Sequence, residues 1–137
     1  MKRVVIESPF AGDRRRNIAY ARAAMADCIN RGEAPIASHL LYTQPGILRD
    51  HLPGERKLGM ECGFVWGAQA EKCVVYLDLG MSQGMKDGIA RAWAAGIPVE
   101  YRSIPTPPPT TLVNTMWLML TVGMAMVAAA GIWLVLP

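Results

Sequence analysis

The sequence predicts a small α/β domain: a flavodoxin-like or Rossmann-like parallel sheet of about four strands, order 2-1-3-4, with helices on both faces and an apolar helix added at the C-terminus. Three observations predict it. Short β-rich runs alternate with segments of helical spacing, separated by Gly and Pro turns. The apolar run at residues 73–76 enters Leu77-Asp78-Leu79-Gly80-Met81-Ser82-Gln83-Gly84-Met85, an acidic, glycine-bearing turn of the kind that holds small ligands at strand ends. Finally, the last charged side chain is Arg102, which leaves residues 103–137 uncharged.

Val4-Val5-Ile6 is the first strand, and Glu7-Ser8-Pro9-Phe10-Ala11-Gly12 is the loop after it. Asp13 then caps a helix in which Ile18, Ala21, Met25, Cys28 and Ile29 recur at helical spacing, and Asn30-Arg31-Gly32 stops it. Pro35-Ile36-Ala37 gives a brief second strand ending at Ser38 and His39. Residues 40–54, with the Gln44-Pro45-Gly46 turn, read as a lid-like loop. A helix over residues 55–70 places Leu58, Cys62, Val65 and Trp66 on one face. The third strand covers residues 73–77, and the helix over 84–95 buries Met85, Ile89 and Ala92, with Trp66 and Trp93 read as core or dimer contacts. Gly96 ends that helix before a fourth strand at 98–102. Helical crossovers between strands require a parallel sheet with both faces covered.

The chain thus divides into a domain at 1–104, a Pro-rich linker at 105–110 and a transmembrane helix at 111–137. Roughly 25 helical residues from Leu112 reach about 37 Å, against a hydrocarbon core of about 30 Å. Trp117 and Trp133 suit the two interfaces, and all 14 Lys and Arg precede the span, so the domain is expected on the cytoplasmic side of the bilayer. A net charge of +3 is too mild to imply a nucleic acid polymer as partner. Cys28, Cys62 and Cys73 have no metal-ligand spacing and fit a reducing compartment, so neither a metal nor a cofactor is expected.

In a 2-1-3-4 sheet the order reverses between strands one and three, so the loops after both flank one crevice. That gathers Glu7, Ser8, Gly12, Asp78, Ser82 and Gly84. Arg14, Arg15 and Arg16 lie in the first turn of the first helix, where the dipole disfavours cations by about 0.3 to 1 kcal/mol each. An anion offsets this, with Arg16 and Asn17 as its contacts, unless the turn is simply solvated. Glu7 and Asp78 are the candidate acid pair, since each carboxylate raises the other's pKa at short range. His39 is a candidate acid, base or phosphate donor, and Tyr42 a platform for a base. Ser82 caps the third helix and aims the amides of Gly84 and Met85 at any phosphate. Structural roles compete at each position: Asp78 holding its own loop, Glu7 pairing with Arg56, His39 as a core hydrogen-bonding residue, Tyr42 as lid packing.

A family resemblance rests on Val5-Ile6-Glu7-Ser8-Pro9-Phe10-Ala11-Gly12, Asn17, Ser38-His39-Leu40-Leu41-Tyr42, Glu55-Arg56 and the 76–85 turn. Over about residues 3–104 these resemble a bacterial and phage group within the nucleoside 2-deoxyribosyltransferase-like superfamily. The resemblance implies a doubly wound sheet, a nucleoside or nucleotide ligand at the strand ends and a homo-oligomer; the C-terminal span, with a bacterial origin, puts the expected location at the inner membrane. The resemblance adds Phe10, Gly80 and Met85 to the ligand-binding set. Superfamily enzymes carry a nucleophilic glutamate in the helix after the Ser-x-Gly turn; here that place is Gly88, which cannot form a sugar ester. A nucleotide-binding domain is therefore the leading expectation. An N-glycosidic enzyme using Glu7 and Asp78 is the first alternative, and a ligand-free membrane scaffold the second.

Overall fold

Two adjacent strands supply most of the core, because each presents apolar side chains to both faces of the sheet. The structure, a computed structural model, describes residues 1–104; the linker and the membrane helix expected over 105–137 lie outside the described residues. β1 (Lys2–Glu7) and β3 (Lys72–Tyr76) are central, with β2 (Glu33–Ile36) outside β1 and β4 (Val99–Arg102) outside β3. Every pairing is parallel and the order is 2-1-3-4, with Val5 opposite Cys73 and Ile6 opposite Val74.

Alternation sends Val4, Ile6, Val74 and Tyr76 to one face, against Ala24 and Cys28 of α1 (Arg14–Asn30). Val5, Cys73 and Val75 go to the other, against Met85, Ile89 and Ala92 of α4 (Gln83–Ala94). Burial on both faces is why these strands read as unbroken apolar runs. Each fully buried aliphatic side chain contributes about 1.5–3 kcal/mol. Asp13 caps α1 by accepting from the Arg16 amide at 3.1 Å, and Ser82 caps α4 by accepting from the Met85 amide at 3.3 Å.

Several expectations about individual elements need correction. Ser38 and His39 do not end a strand; they open a short helix, α2 (Ser38–Leu41), that runs into the start of the segment expected to be a loop. The next helix, α3 (Pro53–Gly67), turns Leu58, Val65 and Trp66 to solvent, with Val65 at 70% exposure. Its packed side is marked by a glycine: a Cβ on Gly63 would lie 2.6 Å from Ser38 Oγ, so α2 and α3 meet where a side chain is missing. Trp93 is likewise outside the core at 63% exposure, as is Ile29. Leu77 lies just past β3 and is partly exposed. Among the described residues no helix is long and apolar enough to cross a membrane.

A polar network crosses the α1 face of the sheet. Arg102 donates to both oxygens of Glu33, at 2.7 and 2.8 Å, and to Glu100 at 2.7 Å; Lys72 joins Glu100 at 2.5 Å. Tyr76 donates to Asp27 at 2.7 Å. These bonds tie both edge strands and the end of α1 to β3.

Candidate functional site

β1 ends on Glu7, with Ser8 next in the chain, just where the sheet order reverses, and the groove beyond that point is walled by the β1 loop, α2, α3 and the start of α4. Glu7 forms its floor. Among the described residues, no hydrogen bond to its carboxyl figures in its environment; burial, with the charge of Asp87 adding to it, pushes that carboxyl up to about 8. The space it occupies is provided by α4: a Cβ on Gly88 would fall 2.0 Å from Glu7 Oε1. Phe64 and Gly63 of α3 stand beside it.

Ser8 and His39 form the second feature. Ser8 Oγ lies 2.8 Å from His39 Nε2, and the Phe10 ring meets the imidazole edge-on at 5.9 Å between centroids. Burial holds the His39 imidazole down to about 4, with nearby Asp50 opposing, so it is neutral at physiological pH. A neutral imidazole with one nitrogen on Ser8 fixes the direction of that hydroxyl.

The third feature is an anion-ready corner. Residues Ser82, Gly84 and Met85 line the groove at the head of α4, where Ser82 Oγ takes the Met85 amide and the amides before it lack intrahelical partners. Arg56 of α3 reaches the same corner: its Nη1 donates to Asp50 at 2.8 Å, and its Nη2 would lie 3.4 Å from a Cβ on Gly84. Asp50 therefore aims the guanidinium, leaving its second nitrogen beside the helix head.

The structure thus brings together Glu7, Ser8, Phe10, His39, Tyr42, Ser82, Gly84 and Met85. It leaves the other expected site residues outside. Asp78 does not enter the groove, because its Oδ2 accepts from Tyr20 Oη at 2.5 Å and from the Ile104 amide at 2.9 Å. The Tyr20 bond, first among several, holds its carboxyl below the usual range, which suits an anchor of the β3 loop to α1. Asn17 donates to the Ala11 carbonyl at 2.7 Å and so braces the loop rather than a ligand. Gly12 and Gly80, with φ of +88° and +81°, shape turns beside the groove, and Arg16 faces solvent. In the same turn Arg14 stacks over Phe10 at 4.9 Å.

A family model described as a domain of unknown function, DUF7768, matches residues 2–102. The chain belongs to the DUF7768 family. Of solved structures, the 2-deoxyribosyltransferase of the psychrotolerant bacterium Bacillus psychrosaccharolyticus is similar, with a TM-score of 0.59 and 12% identity over 82% of this chain and 80% of that one. At that identity the likeness is one of fold, a deoxyribosyltransferase-like α/β domain. No curated protein matches.

In this DUF7768 chain the groove also contains residues that sequence reasoning did not select as site residues. Thr43 and Asp50 lie in the segment expected as a lid, Phe64 lies in α3, and Arg56 enters the sequence reading through the family resemblance and as a partner for Glu7, not as a ligand contact. The available signal was Asp50 and Arg56, opposite charges six residues apart across the Pro53 helix start.

Proposed function

We propose that the groove binds a nucleoside or nucleoside monophosphate, with the phosphate on the first turn of α4 and Arg56 and the sugar over Glu7. The observation that carries this reading is the meeting, at the switch point of a deoxyribosyltransferase-like sheet, of a buried acid with no hydrogen-bond partner among the described residues and an anion-ready helix start. Phe10 and Tyr42 supply apolar walls, and the fixed Ser8 hydroxyl suits a sugar oxygen. Calorimetric titration of the full chain with deoxynucleoside monophosphates tests it. Binding that falls on Arg56→Ala is expected; no binding by a folded sample ends the proposal.

A second reading, N-glycosidic cleavage, is favoured by the raised pKa of Glu7. A carboxyl that keeps its proton at neutral pH serves as a general acid. The C–N bond breaks with its electron pair passing to the base, Glu7 protonates the departing nitrogen, and a water adds to the anomeric carbon and returns a proton to Glu7. Chromatography of released base follows this step. Glu7→Gln is expected to abolish release while nucleotide binding persists, and release by that variant would refute it.

The same reading keeps two further parts. Residues 111–137 tether the domain to a bilayer, which extraction of the chain from membranes by alkaline carbonate would disprove. Self-association is supported by the exposed apolar surface of Leu58, Val65, Trp66 and Trp93, and a monomer in sedimentation would remove it.

A further inference from the structure

We propose that the cleft between α3 and α4 is a second pocket, which takes the planar heterocycle of the ligand while the groove takes its phosphorylated sugar. The inference rests on the nucleotide reading and assigns the base a place that reading leaves open. Size is the first argument. The groove holds about 90 Å³ and the cleft about 280 Å³, against roughly 300–1,000 Å³ for typical small-molecule sites. The cleft thus adds room on the far side of Glu7, next to the groove, in which the ring of a bound nucleotide can sit.

The second argument is how the two chambers join. Glu7, Gly63 and Phe64 line both, so the carboxyl stands at the passage between them. A ligand with its sugar in one chamber and its base in the other carries its glycosidic bond past Glu7. The carboxyl, protonated at neutral pH, offers one donor and one acceptor, which match the paired acceptor and donor along the edge of a nucleobase.

Wall chemistry is the third. Val5 and Ile97 lie beneath the cleft, Gly67 thins one side, Gly88 makes room for the Glu7 carboxyl, and Ala92 completes a lining whose polar side chains, among the described residues, are Glu7 and Arg91. Such a slot selects a flat, uncharged ring. Arg91, which also lines it, lies over the Phe64 ring at 5.1 Å and forms with it a rim on which a base can stack. Gly67 is not required by packing, since a Cβ there would meet Val5 only at 3.8 Å, an ordinary contact. What its missing side chain provides is open space.

Gly67→Leu fills the cleft, and Ala68→Trp narrows it from the rim should the first variant fail to fold. The full chain of each is titrated calorimetrically with 2-deoxyribose 5-phosphate, with a panel of free nucleobases and with the matching nucleoside monophosphates. In the cleft variants we expect nucleobase and nucleotide affinity to fall at least about tenfold, with sugar phosphate affinity within about twofold of the parent. Arg56→Ala is expected to weaken the sugar phosphate and spare the free base. Undiminished base binding by folded cleft variants overturns the second pocket. So does a parent chain that binds a nucleotide no better than its sugar phosphate, and either result leaves the nucleotide reading standing. Failure of the sugar phosphate and of every nucleotide to bind overturns both.

Discussion

The carboxylate of Glu7 stands on the ground that a side chain at position 88 would need: a Cβ on Gly88 would lie 2.0 Å from Oε1 and 2.4 Å from Cδ. A strand-borne acid and a bare position on the facing helix are thus two halves of one arrangement. Any larger residue at 88 must displace Glu7 or push α4 off the sheet.

Gly88→Ala is accordingly expected to destabilise, although alanine ordinarily gains about 0.5–1 kcal/mol over glycine inside a helix. Overpacking against Glu7 costs about 1–3 kcal/mol and outweighs that gain. Glu7→Ala in the same chain removes the obstacle, so the double variant should be more stable than Gly88→Ala alone. Urea unfolding of the parent, both single variants and the double variant measures the coupling. Additive effects would show that the two positions do not exclude each other.

Stability should depend on pH through two opposed groups. Glu7 has a folded pKa of about 8, above the 4.5 of a free glutamate, so its contribution is complete below 4.5 and is lost as pH rises to 8. His39 is depressed from 6.5 to about 4, so the unfolded chain binds the extra proton and stability gains with pH between those values. The two slopes, each at most about 1.4 kcal/mol per pH unit, offset each other between 4.5 and 6.5. What remains is a decline from pH 6.5 to 8 that belongs to Glu7. Denaturant unfolding across this range should show the decline in the parent and lose it in Glu7→Gln. A decline that survives the substitution assigns it to another group.

The fold was legible because its signals are local and redundant. Val4-Val5-Ile6 and the 73–76 run are buried on both faces, Asp13 and Ser82 are caps with the right side chains, and helical crossovers make the strands parallel. The lining of the candidate groove was legible where it follows from topology, at Glu7, Ser8, Ser82 and Gly84. It was not legible where a side chain chooses between two neighbours. Asp78 sits at a strand end like Glu7, but Tyr20, 58 residues away, captures its carboxylate. On α3 the packed face is marked by Gly63, and periodicity counts apolar bulk rather than its absence. Arg56 has a nearby signal in Asp50, six residues before it, but its place beside the head of α4 is a contact between segments that no spacing encodes.

Ser8→Ala tests the hydroxyl that faces His39. The substitution removes the 2.8 Å partner of Nε2 in a site where Ser8 is 5% exposed, and an orphaned buried nitrogen costs about 1–3 kcal/mol. Unfolding measurements should show that loss, and the His39 ring should become less ordered by NMR. Ser8→Thr keeps a hydroxyl and is expected to recover part of both. An alanine variant as stable as the parent would show that His39 needs no partner there.

Arg102 offers the largest single-site effect. Its side chain is 6% exposed and donates two bonds to Glu33 and one to Glu100; its removal leaves Glu33 buried with Lys72, at 3.7 Å, as its neighbouring cation. Breaking one side of a buried pair costs about 3–5 kcal/mol, whereas replacing both sides with uncharged groups often costs little. Arg102→Met should therefore unfold at much lower urea than the parent, and Glu33→Gln with Arg102→Met should regain most of the difference. The pH response supplies an independent check. Arg102 is the main cause holding the Glu33 carboxyl below its ordinary value, so Glu33 stabilises above pH 4.5 and that stabilisation is lost as pH falls below it. Arg102→Met should weaken this acid limb. An unchanged limb, together with a double variant no better than the single, would mean that Arg102 acts through its packing and not its charge.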